Sequence, residues 1–286
     1  MGEQSESTSK SIPRDAAHQN YIANYVAIAR KWRPKTLEEM AGQTHVTRTL
    51  RNALSSGRIH HAFLFTGARG VGKTTAARAF ARSLNCDQGP TPEPCGQCAP
   101  CLEILAGNSP DVVEIDGASN NSVEDVRDLR DGVRYLPVRG RYRIYIIDEV
   151  HMLSKGAFNA LLKTLEEPPP HVKFIFATTE VNKIPETILS RVQRFDFKRI
   201  PLKVVVGRLR QICEAEGVKI SEDALRMVAR AGEGSMRDAQ SLLDQVISFG
   251  GQNPGDAQVA DILGMVDRTL LFDLLSGLLW GEGTVA

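Results

Sequence analysis

The chain has 286 residues, of which 42% are hydrophobic and 24% charged, and its formal net charge is +1. This composition is ordinary for a globular protein and leaves room for two compact domains. The net charge does not indicate a nucleic-acid binder, so any DNA contact must come from local geometry or from assembly, and no apolar run is long enough to span a membrane. Residues 1–20 are polar and lack the apolar stretch of a secretory signal, so we expect a flexible tail and a cytoplasmic protein.

A glycine-rich loop is the most informative part of the sequence. It lies between the apolar run 62–65, which predicts a buried strand, and a predicted helix at 74–84. Glycines allow backbone N–H groups to surround a phosphate chain, and the positive end of the helix dipole faces the same group. Strand, loop and helix have the order and spacing of a P-loop that binds a nucleoside triphosphate. The residues of the loop are Gly67, Ala68, Arg69, Gly70, Val71, Gly72, Lys73 and Thr74.

Four of the five cysteines lie within 16 residues, directly after the predicted P-loop helix. In a reducing cytosol such a cluster more often binds a metal than forms disulfides. Four thiolates on a loop rich in proline and glycine predict a tetrahedral structural zinc site, with an iron–sulfur cluster as the alternative. The fifth cysteine, Cys213, is expected to be a small core residue. The expected metal ligands are Cys86, Cys95, Cys98 and Cys101.

Apolar runs alternate with helical patterns as far as residue 200, and this alternation predicts a parallel sheet flanked by helices. We therefore expect an α/β nucleotide-binding core at residues 21–200, with the zinc-binding insert at 86–101. Ser122 is expected to cap the helix that follows it. The predicted strands span 62–65, 112–115, 143–147, 173–177 and 194–197. The predicted helices among them span 46–55, 74–84, 123–135, 155–166 and 185–189.

Two carboxylates follow the predicted third strand. Because α/β proteins bind ligands at the carboxyl ends of parallel strands, Asp148 is expected to help hold Mg²⁺ and Glu149 to polarise an attacking water. Lys73 is expected to reach the β- and γ-phosphates, and the Thr74 hydroxyl to contact the same Mg²⁺. The alternative is a strand that ends in solvent with two acidic residues. Together with the loop, these residues predict ATP hydrolysis rather than binding alone.

Three further polar residues are candidates for the same site. Thr179 follows the predicted fourth strand and is placed to contact the lytic water or the γ-phosphate, although threonine is common in strands. Arg191 lies just beyond a predicted helix and is placed to reach the γ-phosphate of a neighbouring subunit, with a local surface ion pair as the alternative. Arg237 lies in the first turn of a predicted helix, where the dipole disfavours a cation. We expect it to face a bound anion or to pair with Asp238 or Glu233.

The sequence changes character after about residue 201. Segments 204–216, 221–231 and 235–248 have helical patterns and are separated by glycines, which predicts a small helical domain at 201–250. A glycine-rich linker follows, and a new amphipathic stretch begins near residue 256. We expect residues 251–286 to be the start of a further helical domain that is incomplete in this chain.

These motifs together resemble those of the gamma/tau subunits of bacterial DNA polymerase III, the ATPase of the sliding-clamp loader. The resemblance covers about residues 25–250, and the cysteine insert directly after the P-loop helix makes it highly specific. It implies an AAA+ P-loop ATPase core with a parallel sheet and a zinc-binding insert, then a helical lid, then the start of a helical collar domain. The matching segments are 29–34, 42–43, 57–62, the P-loop, the cysteine insert, 148–153, 165–169 and 234–238.

The resemblance also implies a role for each candidate residue. Thr179 corresponds to the first sensor, Arg191 to the finger that acts on the ATP of a neighbouring subunit, and Arg237 to the second sensor. Val192 departs from the family pattern, which usually has cysteine there, but nothing in the mechanism needs that thiol. The segments expected to pack on adenine lie near Tyr25, Arg33 and Val46.

The implied function is ATP-driven loading of a sliding clamp onto primed DNA, with ATP, Mg²⁺ and Zn²⁺ as the required ligands. The implied partners are other clamp-loader subunits in a hetero-oligomeric ring, the clamp, primer–template DNA bound without sequence preference and, through a longer tail, the polymerase core and the replicative helicase. Nucleotide addition is expected to belong to other subunits of the DNA-directed DNA polymerase holoenzyme. Candidate DNA-phosphate contacts are Lys155, for which an ordinary surface lysine is the alternative, and backbone groups near Asn120 and Asn121.

Three other functions remain open on the sequence alone. Another DNA-remodelling AAA+ motor, such as a branch-migration helicase, fits the ATPase motifs but not the cysteine insert. A ring subunit that does not hydrolyse ATP is disfavoured by Lys73, Thr74 and Glu149. A small-molecule kinase would not need Arg191 and Arg237 together.

Overall fold

The computed structural model describes residues 25–119, 123–265 and 275–276. The expected tail at 1–20, the cap at Ser122 and the candidate DNA contacts at Asn120 and Asn121 lie outside the described residues, as does most of the segment after residue 265. Within these ranges an α/β core is followed by a helical region. None of the described helices is long and apolar enough to cross a lipid bilayer.

Helices and strands alternate through the core. The strands are β1 (Ala62–Thr66), β2 (Val112–Asp116), β3 (Arg143–Asp148), β4 (Val172–Thr178) and β5 (Gln193–Asp196). The helices of the core are α1 (Ile28–Lys31), α2 (Thr44–Ser56), α3 (Lys73–Asn85), α4 (Ala99–Ala106), α5 (Val123–Gly132), α6 (Lys155–Glu166) and α7 (Glu186–Leu189). The helices described after the core are α8 (Leu202–Glu216), α9 (Glu222–Ala231), α10 (Met236–Gly250) and α11 (Asp256–Ile262).

The five described strands all pair in parallel, in the order β2–β3–β4–β1–β5. Parallel neighbours need crossover connections, and the helices of the core supply them. The register aligns Thr66 with Thr178 and Asp116 with Asp148 at the carboxyl ends of two strand pairs. Polar residues that follow these strands therefore meet at one edge of the sheet.

The strands β1 to β4 supply residues to two hydrophobic cores, because successive side chains point to opposite faces of the sheet. In β1, Phe63 and Phe65 pack on the face that carries α3, whereas Ala62 and Leu64 belong to the core on the other face. The ring of Phe80, from α3, meets Phe63 edge to face with centroids 4.9 Å apart. This packing fixes the helix that follows the P-loop against the sheet.

Helices α8 to α11 surround a third hydrophobic core. Ile28 of α1 also packs there, and its N–H donates to the Asp244 carboxylate at 3.2 Å. Helix α11 begins where the sequence predicts a new amphipathic stretch, and its Val259 is fully buried in this same core. The hydroxyl of Ser221 donates to Asp256 at 2.5 Å, so α11 is joined to α9 by a polar contact as well.

The predicted strands and most predicted helices are confirmed, with shifts of a few residues at their ends. The helix predicted at 123–135 ends at Gly132, and the chain after it turns back to the buried carboxylate of Asp111. That carboxylate accepts the N–H groups of Val138 and Gly140 at 2.5 and 2.6 Å. Helix α4 was missed because the insert is rich in proline, although Pro100 lies in its first turn, where proline favours a helix.

Replacing Phe80 with alanine should lower the free energy of unfolding by about 3–5 kcal/mol, because the fully buried ring leaves a cavity between α3 and the sheet. Denaturant unfolding of the purified chain measures this loss. The matched control is Phe249→Ala, since that ring is 72% exposed. Equal destabilisation by both substitutions would contradict the packing described for α3.

Candidate nucleotide site and metal centre

The P-loop connects the end of β1 to the start of α3, as the sequence predicts. The N–H of Gly67 donates to the carbonyl of Thr178 at 3.3 Å, which joins the loop to β4. Gly72 has a φ of 102°, a left-handed conformation that glycine adopts without strain. The buried Lys73 donates from Nζ to the carbonyls of Gly67 and Ala68, each at 2.9 Å. Burial lowers the pKa of Lys73, and the carboxylates after β3 act in the opposite direction.

The two carboxylates after β3 have different environments. Asp148 accepts a hydrogen bond from the Thr74 hydroxyl at 2.5 Å and another from the N–H of Glu149 at 2.9 Å. Thr74 and Asp148 thus present the kind of oxygen atoms that Mg²⁺ prefers in proteins. Glu149 has φ 45° and ψ 44°, a left-handed conformation that is costly for a residue with a Cβ. The chain after β2 passes close by, since a Cβ on Gly117 would lie 2.8 Å from the carbonyl oxygen of Glu149.

The Glu149 carboxylate is contacted by a residue that follows β4 and by a histidine in the turn after β3. The hydroxyl of Thr179, the expected first sensor, donates to Glu149 Oε2 at 3.1 Å. His151 Nδ1 lies 3.3 Å from the same oxygen and 3.0 Å from the hydroxyl of Thr178. Nε2 of this buried imidazole lies 3.3 Å from Glu180. No role was predicted for His151 from the sequence, although it follows the acidic pair by two residues and lies in the segment 148–153 that resembles the family.

The start of α10 contacts the P-loop directly. Ser235 caps the helix by accepting the N–H of Asp238 at 3.2 Å. The N–H groups of Met236 and Arg237 donate to the carbonyl of Gly70 at 3.1 and 3.4 Å. A Cβ on Gly70 would overlap the Ser235 hydroxyl, so this close approach requires glycine. The free donors of a helix terminus therefore join the helical region to the phosphate-binding loop.

A cavity of about 650 Å³ lies between the P-loop, the segment around α1 and the start of α10. Arg33, Arg78 and Arg237 all line it. A smaller cavity of about 120 Å³ joins Arg33 and Arg237 to the P-loop and to both carboxylates after β3. Arg33 donates from Nε to the Thr75 hydroxyl at 3.1 Å, and its pKa is lowered by burial and by the charge of Arg78. This concentration of positive charge suits a polyanionic ligand.

The segments expected to contact adenine have separate positions. Arg33 lines the large cavity, as does Ala27, two residues after Tyr25. Val46 instead lies in the core of the sheet and is not among the lining residues. The physical reason is that the apolar face of α2, on which Val46 lies, packs against α3. Met236 of α10 completes the wall of the cavity.

Arg191 lies apart from these groups and lines neither cavity. Its guanidinium pairs with Glu166 at 2.9 Å, so the local ion pair considered from the sequence is present. A pair between such exposed side chains contributes only about 0–1 kcal/mol, which leaves Arg191 available to a stronger anion. Arg237 makes no ion pair with any described residue, and Glu233, one of the partners considered for it, pairs with Arg199 at 3.4 Å.

The four cysteines of the insert come together around one point. Their Sγ atoms all lie within 4.8 Å of one another. A tetrahedral zinc ion with bonds of about 2.3 Å needs sulfurs about 3.8 Å apart, so this arrangement is compatible with zinc. Four protein ligands leave no position for a reactive water, as expected of a structural rather than a catalytic metal. Cys86 and Cys101 are buried, whereas Cys95 and Cys98 are partly exposed.

Backbone groups of the insert donate to the sulfurs. The N–H of Cys95 donates to Cys86 Sγ at 3.3 Å, and the N–H of Cys98 donates to Cys95 Sγ at 3.4 Å. Backbone hydrogen bonds from Gln97 and Cys98 lower the pKa of the Cys95 thiol to about 6. Burial raises the pKa of Cys101, and a bound cation is the kind of group that offsets this by favouring the thiolate.

Comparison with known families gives one consistent result. A family model described as the delta subunit of DNA polymerase III matches residues 42–201, and one described as the ATPase lid domain of the DNA polymerase III clamp loader subunit matches residues 204–252. The tau subunit of DNA polymerase III from Bacillus subtilis is 52% identical over 91% of this chain. The chain belongs to the gamma/tau family of clamp-loader subunits.

Other members of the gamma/tau family are similarly related. The tau subunit of Escherichia coli is 50% identical over 91% of the chain, and the gamma subunit of Buchnera aphidicola subsp. Baizongia pistaciae is 47% identical over 90%. The chain spans 44% of the Bacillus subtilis tau subunit, 40% of the Escherichia coli tau subunit and 69% of the Buchnera gamma subunit. The family resemblance drawn from the sequence is therefore confirmed.

Solved structures identify the fold as that of an AAA+ ATPase. The Holliday junction branch migration motor RuvB of Thermotoga maritima matches with a TM-score of 0.61, covering 89% of this chain and 82% of RuvB. The two sequences are only 19% identical, so this likeness shows the fold alone. The predicted fold class is confirmed, and sequence identity favours the gamma/tau family over a branch-migration motor.

The insert is expected to hold about one zinc ion per chain, and Cys101→Ser should abolish this binding because it removes one of four thiolates. Cys213→Ser is the matched control, since that cysteine lies in the helical core and burial raises its pKa to about 11. Metal analysis of both purified variants measures the difference. Iron in place of zinc, or equal zinc in both variants, would contradict the assignment.

Proposed function

We propose that the chain contains the ATPase motor of a DNA polymerase III clamp loader, which uses ATP to load a sliding clamp onto primed DNA in the bacterial cytoplasm. The observation that carries this proposal is the arrangement at one sheet edge. There the P-loop, the acidic pair and the first turn of α10 surround connected cavities lined by arginines. Membership of the gamma/tau family supports the proposal that ATP is used to load a sliding clamp.

The residues of the site have distinct tasks in this proposal. Lys73 and Arg237 balance the charge of the phosphates, while the P-loop N–H groups orient them. Thr74 and Asp148 hold Mg²⁺, which shields the negative charge that an attacking water must approach. Glu149 accepts the proton of that water. Thr179 and the buried His151 orient the Glu149 carboxylate by their contacts with its Oε2 atom.

Arg191 acts in the site of a neighbouring subunit. Its exposed pair with Glu166 is weak in water, whereas a guanidinium that faces a γ-phosphate across an interface forms strong charge-assisted hydrogen bonds. Hydrolysis is therefore linked to assembly of the ring. The position of Arg191 outside the cavities of its own chain supports this arrangement.

The other ligands and partners follow from the family. Zinc, held by the four cysteines, has a structural role, and the clamp, the other loader subunits and primer–template DNA are the macromolecular partners. Lys155, exposed at the start of α6, is a candidate DNA-phosphate contact. Sequence-independent binding of this kind is weakened by salt. The polymerase core and the helicase would bind a longer tail, and nucleotide addition belongs to other subunits.

The domain assignment is part of the same proposal. Residues 21–200 form the ATPase core with the insert at 86–101, and residues 201–250 form the lid. Residues 251–286 begin the collar, with α11 packed on the lid at its start.

Glu149→Gln is expected to lower ATP turnover by about 10²–10⁴-fold while ATP still binds, because the amide cannot accept the proton of water. Steady-state ATPase assays and ATP-binding titrations of the assembled loader separate the two effects. Glu167→Gln, which alters an exposed acid at the end of α6, is the control for charge. Unchanged turnover in Glu149→Gln would favour a ring subunit that does not hydrolyse ATP.

Arg191→Ala is expected to reduce the ATPase rate of the assembled ring by about a thousandfold, whereas ATP binding to the isolated chain stays intact. The control is Arg58→Ala, which removes an exposed arginine that makes no ion pair with any described residue. DNA- and clamp-stimulated ATPase is measured with the partner subunits present. Stimulation that survives Arg191→Ala would rule out the role of Arg191 between subunits.

A further inference from the structure

A second cavity lies beside the nucleotide cavity, between the chain around α1, the outer face of α3 and the end of α4. Its volume is about 220 Å³. Half of its twelve lining residues also line the nucleotide cavity, among them Arg30, Arg33 and Arg78, but it extends to Lys35, Arg82 and Leu105, which the nucleotide cavity does not reach. None of the eight P-loop residues lines it. It is therefore a neighbouring compartment rather than part of the phosphate-binding loop.

Basic residues dominate the wall of this cavity, and none of the described residues that line it carries a carboxylate. Two of the cations form ion pairs with carboxylates that do not line the cavity. Arg78 makes two hydrogen bonds with Glu114, at 2.7 and 2.8 Å, and Lys31 pairs with Glu216 at 2.7 Å. The other four make no ion pair with any carboxylate in the described parts of the chain. The six cations are Arg30, Lys31, Arg33, Lys35, Arg78 and Arg82.

Arg82 is the decisive residue of the set. Arg78 and Arg82 lie on one face of α3 with Thr75, because residues three and four apart share a helix face. Arg82 is only 5% exposed, and its Nε–H has no hydrogen-bond partner among the residues that the structure describes. A buried donor on a charged group costs free energy unless an acceptor reaches it. Ile104 and Leu105 of α4 form the apolar wall on the side of the insert.

We propose that this cavity binds a phosphate or diphosphate group, separately from the nucleotide at the P-loop. Guanidinium groups match phosphate oxygens with paired, charge-assisted hydrogen bonds, and Arg82 together with Arg33 and Lys35 supplies the donors. The cavity is smaller than the roughly 300–1,000 Å³ of typical small-molecule sites, so it accommodates a phosphate group rather than a whole nucleotide.

A phosphate or diphosphate group can come to this cavity from two sources. One is a free anion such as pyrophosphate. The other is an additional diphosphate on the ribose of a nucleotide in the larger cavity, since Arg33 and Arg78 line both cavities. Occupation from either source fixes the segment around α1 and the end of α4 relative to α3. The proposal goes beyond the clamp-loading function, because it assigns an anion site separate from the P-loop at which ATP is bound and hydrolysed.

The test is a calorimetric titration of pyrophosphate into the purified chain whose P-loop is saturated with Mg²⁺ and a non-hydrolysable ATP analogue. Wild-type protein should bind one pyrophosphate. Arg82→Gln should weaken this binding by about tenfold or more, because it removes a charged donor. Lys35→Gln, at an exposed position, should also weaken it without any effect on folding. Arg58→Gln, which removes an exposed positive charge elsewhere, should leave it unchanged.

A second titration distinguishes the two sources. Adenosine with diphosphates on both its 5′ and 3′ oxygens is compared with ADP. A gain in affinity that Arg82→Gln abolishes assigns the site to the nucleotide-borne group, and no gain assigns it to the free anion. The absence of pyrophosphate binding, or equal binding by all four proteins, would overturn the proposal.

Failure of the ATPase proposal is visible separately in the same experiment, as a failure of the ATP analogue to bind. In that case the pyrophosphate titration is repeated with Lys73→Ala, which removes the P-loop cation. The anion site is then tested by comparing pyrophosphate binding to Lys73→Ala alone with binding to Lys73→Ala proteins that also carry Arg82→Gln or Lys35→Gln.

Discussion

The hydrogen bond between Thr74 and Asp148 joins two parts of the chain that are distant in sequence and not neighbours in the sheet. Thr74 lies in the first turn of α3 after β1, Asp148 ends β3, and β4 lies between these strands. The two side chains meet because the parallel register brings all three strand ends to one edge. Glu149 follows Asp148, and Thr179 follows β4. A register slip of one residue would turn these side chains to opposite faces and separate the site.

The local parts of the structure could be predicted from the sequence because they depend on short patterns. The P-loop, the acidic pair and the cysteine spacing are contiguous, and the buried strands are recognisable from their apolar runs. The contact of His151 with Glu149 depends on the tight turn after β3, where Glu149 takes a left-handed conformation that no pattern requires. Contact of the stretch near Val46 with adenine stays a prediction, because the helix of Val46 has a clear apolar face and only the tertiary structure shows which element covers that face.

The net charge of the chain does not show how its charged residues are distributed in the fold. A balance of +1 suggests nothing about anions, yet several arginines and lysines line the two cavities beside α3, and Glu39 is the one carboxylate among their described lining residues. Glu114 and Glu216 pair with Arg78 and Lys31 but line neither cavity, so they contribute to the net charge of the chain without lying in the cavity walls. The separation arises from long-range packing, which places the chain around α1 opposite one face of α3. The composition of a chain does not show that its cations and carboxylates lie in separate places in the fold.

The contact between α10 and the carbonyl of Gly70 has a mechanical consequence. That peptide group cannot rotate without breaking both N–H contacts from Met236 and Arg237. Helix α10 has 15 residues and is therefore about 22 Å long, so a tilt of about 5° at the loop displaces its far end by about 2 Å. A rotation of the Gly70 peptide group therefore tilts α10 about its first turn. A tilt that begins at the loop is therefore transmitted along α10 to the surface on which α11 packs.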